Sequence, residues 1–293
     1  MSLFCRHNRL TANCPICSRE LQAELRSKAP PAPARSREPR RATATKRSSG
    51  VVTRRVARAA DDGYRSALAP GLRATADAER LAAALVGAVA RLEPPGPYPQ
   101  IADDADLEQG TWLAFLLALA GPGAPDLQDA LLATRPRWED GVPEDLPDGR
   151  RRSAEAYRAW AARAGSQEAA FSGDAAWAPE RRFARVFERL ALPGFGRAPR
   201  YDLLTALGAA GLYDLRAGEL HLIEDDATTL AAKRLLVSGD RLLLERRARD
   251  LAAACQVPIA ALDRGLAVWN APGADVDLAA EPPAAIRAAL SLR

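Results

Sequence analysis

Three of the four cysteines and one of the two histidines in this 293-residue chain fall within thirteen positions of one another. They are Cys5, His7, Cys14 and Cys17, arranged as Cys-x-His, six residues, then Cys-x-x-Cys. Three thiolates and one imidazole complete a tetrahedral Zn2+ shell and leave no position for water, so the spacing predicts a structural zinc rather than a catalytic one. A redox Cys-x-x-Cys is the competing reading, but such pairs follow a strand and no strand is legible here. The knuckle is assigned to residues 1–27.

A second group lies near the other end, in residues 231–269. An apolar and basic helix ends at Val237-Ser238-Gly239-Asp240, where Gly239 suits a tight turn and Asp240 suits the N-cap of the next helix. That helix is expected to bury Leu242, Leu243, Ala248, Leu251 and Ala252, with Glu245, Arg246, Arg247 and Arg249 on the opposite side. Pro258 opens a third helix carrying Asp263 and ending near Trp269. Two helices joined by a glycine turn present backbone amides to a phosphate, and a carboxylate on the following helix can then act on what that phosphate belongs to. Leu192-Pro-Gly-Phe-Gly-Arg197 is a similar signal. Gly194, Phe195 and Gly196 would bring amides to a phosphate and Arg197 would add charge, although any helix–helix corner favours glycine.

These groups need a helical frame. Ala, Leu and Arg dominate, aromatics make up 5% of the chain, and β-branched runs are nearly absent, so the body is expected to be all-α. Helices are expected over 75–92, with Thr75 as N-cap, and over 106–120, 126–133, 152–163, 179–192 and 281–292. The 179–192 helix is expected to turn Arg181, Arg182, Arg185 and Arg189 outward. Residues 213–222 are ambiguous, with a short extended piece as one reading. Residues 28–60 are rich in Pro, Ala, Ser, Thr and Arg, too poor in large apolar groups to offset the entropy of ordering, and are assigned as a basic disordered linker. Residues 61–293 form the body.

Charge divides along the same boundary. The first 60 residues hold 14 Lys/Arg against 3 Asp/Glu, a net +11, so the other 233 carry −7 of the chain's +4. A basic arm on an acidic body suits electrostatic recruitment to nucleic acid, and a solubilising tail has the same composition. No apolar run reaches membrane-spanning length, no secretory h-region is visible, and cysteine is scarce. A cytoplasmic, nucleoid-associated protein with no membrane contact is expected.

The stretches at 179–215, 231–252 and 257–270 resemble the alpha-glutamyl/putrescinyl thymine pyrophosphorylase group, clade 3, within the helix-hairpin-helix DNA glycosylase-like superfamily. The resemblance implies a glycosylase-like helical domain, DNA as partner, and chemistry on a flipped-out, 5-substituted pyrimidine. That chemistry would be base excision or substitution at the 5-methylene group, with phage conflict as a setting. In the superfamily the catalytic Asp follows the hairpin glycines by just over twenty residues. Counted from Gly239 this reaches Asp263; counted from Gly196 it reaches a region without Asp. The resemblance therefore implies that Val237, Ser238, Gly239 and Arg241 form the functional hairpin, though its first glycine is missing. Asp263 would be the catalytic carboxylate, with Asp202, Asp240 and Trp269 as secondary candidates. Lys233, Arg234 or Arg241 would hold a leaving diphosphate. Each has an ordinary alternative: a cap, a core ring, or a carboxylate favoured by the helix dipole. A Lys after the hairpin is absent, so no lyase step is expected. The other class of protein compatible with these features is a non-catalytic DNA-binding adaptor, its protein partners not deducible.

Overall fold

The computed structural model describes residues 59–103, 106–223 and 226–292. The chain divides into two units, 1–52 and 53–293; the first, with the expected zinc ligands Cys5, His7, Cys14 and Cys17, lies outside the described residues. Among those described there is no strand, and the body is helical as expected. No single helix among them is long and apolar enough to cross a membrane.

Twelve helices are described: α1 (Thr75–Leu92), α2 (Pro99–Ala102), α3 (Leu107–Ala120), α4 (Pro125–Thr134), α5 (Asp148–Ala164), α6 (Gln167–Ser172), α7 (Pro179–Arg189), α8 (Arg197–Ala209), α9 (Ala227–Leu236), α10 (Arg241–Cys255), α11 (Ile259–Asn270) and α12 (Ala284–Ala289). They bury two separate apolar cores. One is built from α2 to α8 around α3, every residue of which from Gly110 to Ala120 is buried. Its aromatic centre stacks Tyr157 on Phe115, with ring centroids 3.8 Å apart, and sets Phe195 against Phe115 at 5.0 Å. The other core joins α1 to α9 through α12. The chain therefore leaves the second lobe after α1, builds the first, and returns. Close passage of α1 over α11 depends on Gly265, where a Cβ would stand 2.7 Å from Leu85 Cδ2.

Several element readings change in three dimensions. Thr75 is the first helical residue and not the cap; its amide is taken by the Asp62 carboxylate at 2.9 Å. Helix α9 starts four residues earlier than expected, because Asp226 caps it by accepting from Thr229 N at 2.7 Å. Residues 213–222 form no strand. Two of their amides, Leu220 N and Leu222 N, donate to the Glu245 carboxylate at 2.8 and 2.7 Å. Glu245 is thus buried rather than on an outer face, while Leu242, expected inside, is 75% exposed and Leu243 is also exposed. The buried stripe of α10 is Leu244, Ala248, Leu251, Ala252 and Cys255. Arg182 is likewise inside, donating to Asp214 and to the carbonyls of Ser172 and Trp177 at the lobe's edge.

Candidate active site

A cavity of ≈ 210 Å³ lies where the two cores meet, walled by α1, the end of α3, the start of α8, the N-terminus of α9 and one face of α11. Asp202, Asp226 and Asp263 all line it, with Tyr201, Thr205 and Thr228 between them and Arg91 and Arg264 alongside. Asp263 occupies the fifth position of α11, a helix whose other side packs on α1 through Gly265. Asp226 reaches the same wall because it is the α9 cap.

Both carboxylates are gathered by one guanidinium. Arg197, with a fully buried side chain, is ion-paired to Asp226 at 3.0 Å and in direct contact with Asp263. Its Nε donates to the carbonyls of Leu220 and His221 at 3.1 and 3.2 Å, and its guanidinium lies 4.9 Å from the Tyr201 ring centre. Arg197 comes from α8 in the first lobe and the two carboxylates from the second, so the pair interaction also ties the lobes together. Burial pushes the Asp263 carboxyl above the ordinary carboxylate range, against the pull of Arg197, and the nearby Asp226 adds to the push. Such a carboxyl is poised to exchange a proton closer to neutrality than a surface Asp.

The remaining sequence candidates are distributed differently. Asp202 belongs to the cavity: it accepts from the Tyr98 hydroxyl at 2.5 Å and faces Arg91 at 3.5 Å. Asp240 does not. It is an exposed cap for α10, accepting from Leu243 N at 2.7 Å. Lys233 and Arg241 line a separate shallow hollow with Gly239 and Thr229, away from the carboxylates. Arg234 pairs with Asp77 at 3.3 Å and lies over Trp269, a core residue, so neither serves the cavity.

The two glycine turns also exchange rank. In the 237–240 turn the left-handed residue is Val237 (φ 49°) rather than Gly239. The Ser238 hydroxyl takes Asp240 N at 3.1 Å and the Asp240 carboxylate takes Leu243 N, so two amides of the turn are already engaged and a negative charge stands at the start of α10, where a phosphate would sit. In the 192–197 turn Gly194 adopts φ 72°, and a Cβ there would meet Ser153 Oγ at 2.6 Å. Gly196 caps α8 with no side chain across its first-turn amides among the described residues. Two residues expected on a DNA face are instead interior: Phe195 packs in the aromatic core and Arg197 holds the carboxylates. A buried guanidinium with two half-buried acids within reach has no reason to turn outward.

Asp226 was missed by sequence reasoning. Asp226-Ala-Thr-Thr ahead of an apolar run is an N-cap signature that marks it, whereas spacing from Gly239 points past it to Asp263.

Taken together these features define, among the described residues, a helical body with two apolar cores and a charged cleft where they meet. Residues 144–273, which contribute α5 through α11 and three of the cleft's acids, match the model of the family described as alpha-glutamyl/putrescinyl thymine pyrophosphorylase clade 3, so the resemblance holds over that segment. No curated protein and no solved structure matches the chain.

Proposed function

We propose that the cleft is the active site of a DNA-modifying enzyme, pyrophosphorylase-like as the family's description implies, acting on a 5-substituted pyrimidine turned out of the helix. The observation that carries this reading is the convergence of Asp226 and Asp263 on the buried Arg197 at the wall of the cavity. At ≈ 210 Å³ it is smaller than the roughly 300–1,000 Å³ of sites for drug-sized ligands, a size suited to one base. The fold is taken as glycosylase-like, with α7, the 192–197 turn and α8 as its hairpin; the uncapped amides of α8 support a backbone phosphate there. In the substitution reaction one carboxylate accepts the proton of an incoming amine as its nitrogen attacks the 5-methylene carbon. The carbon–oxygen bond to diphosphate breaks and diphosphate leaves with the electron pair. In excision, the same carboxylate would instead support positive charge at the sugar C1′ while water attacks.

The test is incubation with duplex DNA bearing 5-hydroxymethyl, 5-diphosphorylated or glycosylated pyrimidines, followed by mass spectrometry of free and retained bases. Asp263→Asn and Asp226→Asn should each lower the reaction by at least about 100-fold, the usual scale for general acid–base groups, while leaving DNA affinity within about twofold. Retained activity in both variants would remove the carboxylates from the mechanism. DNA binding without any reaction would favour the adaptor reading.

We further propose a structural zinc on Cys5, His7, Cys14 and Cys17, supported by the chemistry of that donor set alone. One zinc per chain is expected by elemental analysis and none in Cys14→Ser; an unchanged metal content in that variant would exclude the site.

A further inference from the structure

The charged groups of the cleft are not all paired. Arg197 faces two carboxylates, Asp226 and Asp263, and Arg91 faces Asp202, which the Tyr98 hydroxyl holds in place. Arg264, the next residue after Asp263, is half-buried and has no hydrogen-bond or ion-pair partner among the described residues. Arg91 and Arg264 also stand on the ridge between the cleft and an adjoining hollow of ≈ 220 Å³ lined by Tyr98, Gln100 and Gln128. A guanidinium that has lost part of its hydration without gaining an acceptor is costly unless a ligand supplies one. Its planar fork of donors matches the oxygens of a phosphate.

We propose that Arg264, assisted by Arg91, is the anion subsite of this cleft, holding a phosphate or diphosphate group beside Asp226 and Asp263. This replaces Lys233, Arg234 and Arg241, none of which lines the cleft. Its catalytic meaning rests on the function proposed above; the binding itself does not. Two sources share the chemistry: a phosphodiester of bound DNA, or a diphosphate carried by the base and released from it.

The experiment is calorimetric titration of the full chain with inorganic diphosphate and orthophosphate, together with duplex-DNA affinity measured across a salt series, for wild type, Arg264→Gln, Arg264→Lys and Arg91→Gln. If diphosphate is the occupant, Arg264→Gln weakens its binding by at least tenfold, Arg91→Gln weakens it less, Arg264→Lys retains part, and the DNA salt slope is unchanged. If a backbone phosphate is the occupant, Arg264→Gln lowers the salt slope by about 0.9, one phosphate contact, with no diphosphate effect. A folded Arg264→Gln protein that keeps both properties overturns the subsite. So does failure of that variant to fold, because a side chain without a protein partner should hold nothing together. Wild-type protein that binds diphosphate through Arg264 yet reacts with none of the modified DNAs would overturn the function proposed above and leave the subsite standing.

Discussion

Arg197 depends on its surroundings as much as they depend on it, and His221 shows how. The His221 carbonyl accepts from Arg197 Nε, while its imidazole stacks on Phe187 at 4.6 Å and Phe183 at 5.7 Å. Burial pushes this imidazole down to about 4, and the adjacent Arg197 charge adds to the effect. The unfolded chain takes up the proton near 6.5 whereas the folded one does so only near 4. The contribution is therefore fully present above about 6.5 and is lost as pH falls toward 4, by up to ~3 kcal/mol. His221 sits at φ 54°, which Asn tolerates. Urea unfolding of wild type and His221→Asn at pH 7.5 and pH 4.5 should show the difference in stability between the two proteins narrowing at the lower pH. A pH-independent difference would mean that the imidazole is not excluded from protonation by the fold.

At the scale of elements, what the sequence made legible and what it hid have physical causes. Helices such as α1 and α3 were plain because their apolar runs are long and uninterrupted. The acids were harder. Glu245 sits among arginines and has the composition of a solvated face, yet it ends as the acceptor for two backbone amides in a segment with no ladder of its own. Nothing local announces that the 217–223 segment will need such a partner, since the need arises only when α10 packs against it. Likewise, choosing between the two glycine turns required knowing which amides were already capped, a property of the folded turn. The Glu245 assignment has a direct consequence. Glu245→Ala strands Leu220 N and Leu222 N in the interior, and at ~1–3 kcal/mol for each unmet donor should cost about 3 kcal/mol. Glu245→Gln keeps one acceptor and should cost roughly half as much. Chemical denaturation gives both numbers, and equal, small losses would mean water replaces the carboxylate. The same segment supplies two carbonyls to Arg197, so its loosening should reach the cleft.

For the whole molecule, the question is how an acidic body would engage a polyanion. The second lobe and the cleft carry as many acids as bases, and the described body lies in the part of the chain with net charge −7, so attraction at a distance falls to the first 60 residues with their net +11. On the function proposed above, the cleft then needs only local contacts, an uncapped helix terminus at α8 and the guanidiniums on its rim, to hold one nucleotide. This division of labour separates affinity from chemistry. Each phosphate neutralised adds about 0.9 to the slope of log affinity against log salt. Removing residues 1–60 should therefore reduce that slope by several units on nonspecific duplex DNA and weaken binding most at low salt. Turnover at saturating DNA should persist, because every carboxylate assigned to the cleft lies beyond residue 200. A truncated protein with an unchanged slope would move the DNA-binding surface onto the body itself, and with it the burden of overcoming that surface's own acidity.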